Sequence, residues 1–144
     1  KINEVSAHCQ LMDMVSNGLN DKGIVFLASA GDKGEGECET PPYHDNRAPG
    51  GMSAVSVAGY GPDFRPTPEP PTNYGYCVDV FAPGSEVPTL TTAGGTKLGY
   101  CTASGSAVAA GVAAGVAAAF LEKTEDANQT KFFEWLETSS PQLL

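Results

Sequence analysis

The stretch from Thr102 to Leu121 constrains this chain more than any other segment. It runs for 20 residues without a charge and consists mostly of alanine, glycine and valine. That is about the length of a bilayer span. Its hydrophobicity is weak, and it has no aromatic belt or flanking basic cluster. It therefore reads as a helix of a water-soluble protein rather than a membrane segment. Val108, Val112, Val116 and Phe120 form one i, i+4 column, and Ala107, Gly111, Gly115 and Ala119 form the neighbouring one. Glycine in a helix loses conformational entropy and has no side chain to pack. Such a helix makes sense only where neighbours approach closely on several sides, so the expectation is a central, buried helix.

The rest of the chain, read around that helix, predicts an α/β fold in one domain, residues 1–144. Ile2, Val5, Cys9, Met12, Val15 and Leu19 recur at steps of three and four, the stripe of an amphipathic helix. Gly23 is placed to end it as a C′ residue. Ile24 to Ala30 is a near-continuous apolar run, which fits a strand covered on both faces in a parallel sheet. Val55, Val57 and Ala58 mark a second strand. Gly61 to Thr72 holds five prolines and cannot be a central strand. Val78 to Ala82 is a third strand, stopped by Pro83 and Gly84. Gln129 to Thr138 reads as a last amphipathic helix with Phe132, Phe133, Trp135 and Leu136 as its apolar content. Lys1 to Gln10 lacks the pattern of a signal peptide.

Charge narrows the function classes. Lys and Arg number 8 against 17 Asp and Glu, a net charge of -9. A nucleic-acid surface needs clustered cations, and docking on an anionic membrane needs them too. The expectation is no nucleic-acid and no membrane partner.

Three stretches hold most of the functional information: Gly23-Ile-Val-Phe-Leu-Ala-Ser-Ala-Gly-Asp32, Asn73-Tyr-Gly-Tyr-Cys-Val-Asp-Val-Phe-Ala-Pro-Gly84, and Thr102-Ala-Ser-Gly-Ser-Ala-Val-Ala-Ala-Gly111. In this order they resemble the second half of a subtilisin-like serine peptidase domain, most of all its proteinase K-like and aqualysin-like branch. There the first stretch ends in Ala-Gly-Asn, and the third reads Thr-Ser-Met-Ala-(Ser/Thr)-Pro-His-Val-Ala-Gly. Val55 to Gly59 resembles the family's intervening Val-x-x-Val-Gly strand. The resemblance implies part of a three-layer fold with a mostly parallel sheet. It assigns substrate contacts to Ser29 and Gly31.

Two departures from the family pattern bear on catalysis. Aligned without gaps, Ala103 stands where the family has its nucleophilic serine, and Thr102, Ser106, Ala110 and Gly111 match in that register. An alanine methyl cannot attack a carbonyl. A one-residue shift would make Ser104 the nucleophile, but it rotates the following helix by about 100° and loses the small-residue matches. The second departure is Asp32, where the family has an Asn that donates to the developing oxyanion. An ionised carboxylate only accepts hydrogen bonds, although a protonated one could donate. Alternatively, Asp32 is a turn-favouring residue after Gly31. The family's Asp and His precede the opening helix, and no such motifs are present here. His8 and His44 lie outside the family's His context. The chain therefore looks like a fragment that begins midway through the fold.

The resemblance also implies a Cys38–Cys77 disulfide and a secreted or otherwise oxidising compartment. Two free thiols in a reducing compartment are the alternative. Cys9 falls on the helix stripe, and nothing in the spacing gives Cys101 a partner. No cofactor is required by the family's hydrolytic chemistry. A structural calcium ion is implied, held by the Asp79 carboxylate with the carbonyls of Ser53 and Val55. A capping or turn role for Asp79 is the alternative. Asn128-Gln-Thr130 is an N-glycosylation sequon, and its Asn is equally a good helix cap.

The function expected is that of a non-catalytic subtilisin-like domain, a structural or interaction module. The alternative is a serine endopeptidase seen as a fragment or with its nucleophile replaced by Ala103. The expected partner is the N-terminal half of the same fold or another protein subunit. Alone, this half would leave a hydrophobic strand edge open.

Overall fold

The computed structural model describes residues 14–36, 54–67, 70–75, 78–92 and 98–139. Three strands, β1 (Leu27–Ser29), β2 (Val55–Tyr60) and β3 (Val80–Pro83), form a parallel sheet in the order β1-β2-β3. Leu27 pairs with Val55 on one side of β2, and Val57 pairs with Val80 on the other. The α/β fold with a mostly parallel sheet is therefore as expected. In β2, Val55 through Gly59 are all buried, as a strand covered on both faces should be.

Residues 14–20 are helical (α1). The Ile24 N–H donates to Leu19 O at 3.0 Å and the Gly23 N–H to Asn20 O at 2.9 Å, with Gly23 at φ 73°. This is a Schellman end with Gly23 at C′, the role its position predicted. β1 is shorter than the apolar run from Ile24 to Ala30. The Phe26 N–H leaves the ladder and donates to Gln129 Oε1 at 2.8 Å.

The uncharged stretch divides in two. Its first residues, Thr102 and Ala103, close strand β5 (Gly99–Ala103), which pairs antiparallel with β4 (Val87–Thr91) in a separate two-stranded sheet. The sequence reading had placed no hairpin here. Helix α2 (Ser106–Lys123) takes the remainder. Its buried residues are Ser106, Ala109, Ala113 and Ala117. Those alanines join Val55, Val57, Ala82 and Phe132 in the core.

Among the described residues, cover of α2 is confined to one side. Ala107, Gly111, Gly115 and Ala119 are exposed, as is Val116, while Val108, Val112 and Phe120 are half-buried. The sheet is the main element packed against α2, with α3 beside its later turns, so among the described residues one stripe is covered and the outer face is open. By length and composition alone α2 is long and apolar enough to cross a membrane, but its alanine stripe is seated on this chain's own sheet.

Helix α3 (Gln129–Ser139) begins at Asn128, whose Oδ1 accepts the Lys131 N–H at 2.9 Å. Phe132 is fully buried, which contributes roughly 1.5–3 kcal/mol by removing its ring from water. Phe120, Phe132 and Trp135 form an aromatic cluster with centroids 5.4–6.1 Å apart. Trp135, expected among the apolar content of this helix, is 39% exposed at the edge of that cluster.

Candidate functional site

Residues 103–106 join β5 to α2, and three loops converge on them. The loop after β1 supplies Gly31 and Asp32. The turn after β3 supplies Gly84 and Glu86. The segment 70–75 braces the first of these.

The N-cap position of α2 is Gly105, at φ 129°, which has no side chain to satisfy the helix's first amide groups. Asp32 does this from another part of the chain. Its Oδ1 accepts the Ser106 N–H at 2.7 Å. In return Ser106 Oγ accepts the Gly31 N–H at 3.1 Å. The two bonds are reciprocal, and each joins residues more than seventy positions apart. A carboxylate also complements the positive end of the helix dipole. In this arrangement the Asp32 carboxylate is the acceptor of a helix-end N–H. The Gly31 N–H, at a position expected to contact substrate, is engaged by Ser106. Ser29 lies in β1, half-buried and in register with Val57.

Gly31 sits at φ 101°, and an added Cβ would lie 2.7 Å from Asn73 Nδ2. The contact exists because Asn73 holds the whole loop. Its Nδ2 donates to Ala30 O at 2.9 Å, and its Oδ1 accepts the N–H groups of Lys33 and Glu35 at 3.1 Å each. Its own N–H donates to Gly31 O at 2.8 Å. Asn73 is 4% exposed. Sequence reasoning quoted Asn73 as the start of a motif without giving it a role. The one signal for it was its place as the first residue of the family-like Asn-Tyr-Gly motif.

On the other side, the Gly105 N–H donates to Gly84 O at 2.8 Å, and the Gly84 N–H donates to Tyr60 O at 3.0 Å. A Cβ at Gly84 would stand 2.7 Å from Gly59 Cα and 3.1 Å from Gly105 O. Gly84, expected only to stop a strand, is where the sheet and the start of α2 touch backbone to backbone.

Ala103, the last residue of β5, is paired with Val87. Ser104 follows, and its Oγ accepts the Glu86 N–H at 2.9 Å. This bond ties the junction to the β3–β4 turn. Cys101 is a free, exposed thiol on β5. His8, Cys9, Cys38, His44, Ser53 and Cys77 lie outside the described residues.

Asp79 makes a reciprocal pair with β2: its Oδ2 accepts the Ser56 N–H at 2.8 Å, and its N–H donates to Ser56 O at 3.0 Å. The Asp79 carboxylate is thereby tied to the backbone of β2. Among the described residues no three His, Cys, Asp or Glu side chains come together to hold a metal. A calcium ion here would rest on Asp79 and on backbone carbonyls, a donor set that calcium accepts.

Fold and junction together define a subtilisin-like α/β domain. The sequence signature of the subtilase family matches residues 1–143, and the chain belongs to that family. It is 33% identical over 124 residues to cerevisin of Saccharomyces cerevisiae, covering 85% of this chain and 18% of cerevisin. It is similar to a cold adapted subtilisin-like serine proteinase, with 30% identity and a TM-score of 0.71 over 88% of this chain and 42% of that one. Two further structures share the fold: a protease from Pseudoalteromonas arctica, with 23% identity and a TM-score of 0.79, and the Prenylagaramide maturation protease PagA, with 16% and 0.69. These cover 90% and 92% of this chain, but only 40% and 46% of their own lengths. The chain spans less than half the length of each relative.

Proposed function

We propose that this chain is a non-catalytic part of a subtilisin-like domain and acts as a structural or interaction module. The observation that carries the reading is the junction itself. A methyl group stands at Ala103, and the nearby carboxylate of Asp32 accepts the Ser106 N–H at 2.7 Å instead of offering a donor. A developing oxyanion at this place would meet a negative charge rather than a hydrogen-bond donor. The scaffold around the junction is nonetheless fully built. The test is hydrolysis of a broad peptide library by the longest natural form of the protein. No cleavage above buffer is expected, and turnover that survives further purification would overturn the reading.

A second reading is a working serine endopeptidase whose nucleophile is Ser104. It is favoured by the place of Ser104 at the strand-to-helix junction, where its hydroxyl is held by Glu86. Under this reading the Ser104→Ala variant loses all activity.

The same proposal includes a polypeptide partner, either the N-terminal half of the fold or another subunit. The open face of α2 supports it: a Cβ added at Gly111 or Gly115 meets nothing within 4 Å, so another backbone has room to approach there. Expressing residues 1–144 alone tests this by sedimentation and amide exchange. A well-protected monomer with a cooperative melt contradicts it.

Membership of the aqualysin-like branch, with a Cys38–Cys77 disulfide and an oxidising or secretory compartment, is likewise proposed from the motif around Cys77. Peptide mapping without reductant decides the pairing. Calcium at Asp79, with the carbonyls of Ser53 and Val55, predicts a calcium-dependent rise in Tm that Asp79→Asn abolishes.

A further inference from the structure

We propose that Asn128 is an N-glycan acceptor. The proposal rests on the reading that the protein enters a secretory compartment. Asn128-Gln-Thr130 is the one N-x-Ser/Thr triplet in the chain, and its middle residue is not proline, as the acceptor chemistry requires.

From the sequence, a helix cap and a glycan acceptor compete for Asn128. In the structure they use different atoms. The cap uses Oδ1, which accepts the Lys131 N–H at 2.9 Å. Glycosylation uses Nδ2, which has no hydrogen-bond partner among the described residues. The Thr130 hydroxyl, the second element of the triplet, likewise has no bonded side chain among them. An N-linked sugar leaves the amide carbonyl in place, so the cap survives the modification.

The surroundings have room for a bulky polar group. Asn128 sits in the link between α2 and α3, with Glu125, Asp126, Thr130 and Lys131 exposed around it. The buried anchors of this region, Gln129 and Phe132, are separate side chains of α3. A glycan on Nδ2 displaces neither the Phe26–Gln129 bond nor the aromatic cluster.

The step balances with a lipid-linked oligosaccharyl pyrophosphate as donor. The bond between the anomeric carbon and the phosphate oxygen breaks, and a bond from that carbon to Nδ2 forms. One amide proton leaves, and the lipid pyrophosphate departs with the electron pair. Nothing is oxidised or reduced.

The experiment secretes the longest natural form of the protein from a eukaryotic host behind a cleavable signal sequence, and reads its intact mass and peptide map. The wild type is expected to show a heterogeneous mass increment on the peptide containing Asn128, removed by a peptide N-glycosidase that leaves an aspartate there. Asn128→Asp keeps a capping oxygen and Thr130→Ala keeps both Asn128 atoms. Each should be secreted as well as wild type, with occupancy reduced to zero. Secreted wild-type protein without sugar at Asn128 overturns the proposal, as does an increment that persists in both variants. Mapping Cys38 and Cys77 in the same sample tests the disulfide separately, so either reading can fail alone.

Discussion

The junction around residues 103–106 and the outer face of α2 belong to one helix but differ in how the chain treats them. At the junction, Asp32 and Gly31 are bonded to Ser106, Asn73 to Gly31, Gly84 to Gly105 and Glu86 to Ser104, at 2.7–3.1 Å. Further along the helix, a Cβ added at Gly111 or Gly115 would meet nothing within 4 Å, and Val116 is exposed. An apolar groove of about 500 Å³ opens there between Val112, Val116, Phe120 and Trp135. The contrast shows that the bracing is concentrated at the junction and that, among the described residues, the outer face of α2 is open. It also shows that the geometry of the junction is set within this chain.

Substitutions can break or sharpen that contrast. The largest effect is expected at Gly84. A methyl there runs into the backbone of Gly59 and Gly105, neither of which can rotate away. Gly84→Ala should destabilise by about 3 kcal/mol, read as a lowered urea midpoint. Asn73→Ala comes next. It strips one acceptor and two donors of partners inside a loop that is partly buried, at about 2 kcal/mol. Amide exchange over residues 31–36 should rise with it.

Asp32→Ala removes the cap of α2 and should lower stability by about 1 kcal/mol. Asp32→Asn keeps an acceptor and should lose less. If Asp32→Ala leaves the exchange of Ser106 unchanged, the reciprocal bond is not structural. Gly115→Ala should change stability in the opposite direction. With nothing within 4 Å of the new methyl, the gain in helix propensity is worth up to about 1 kcal/mol. The same variant should weaken association with a second segment that packs on this face. A partner that binds the variant as tightly as wild type would place the contact elsewhere.

Local signals were legible where the cause is local. The five consecutive buried residues of β2, the Gly23 helix end and the Asn128 cap each follow from a pattern of a few residues. The β4–β5 hairpin was not visible. Val87-Pro-Thr-Leu-Thr91 contains a proline and has one weakly alternating face, and nothing local to it identifies Gly99–Ala103 as its partner. The buried stripe of α2 was not singled out for a related reason. Valine and phenylalanine columns attract attention, yet the fully covered stripe toward the sheet is Ala109, Ala113 and Ala117, with Val112 and Phe120 packed at its side. The valines are left at the margins. The roles of Asn73, Ser106 and Gln129 come from bonds to residues 38 to 103 positions away, which no local pattern encodes. Ala103 and Asp32 were legible only through the resemblance to a family. The reciprocal bond that Asp32 makes needed the folded chain.

The central claim is that the junction holds no nucleophile. It is tested most directly by treating the longest natural form of the protein with a fluorophosphonate probe and mapping adducts across residues 98–123 by mass spectrometry. Such probes report an activated serine without the need to know a substrate. The account predicts unmodified Ser104 and Ser106 at probe concentrations that saturate an active subtilisin-like control. A stoichiometric adduct on Ser104 would contradict it and make this chain the nucleophile-bearing part of a working peptidase.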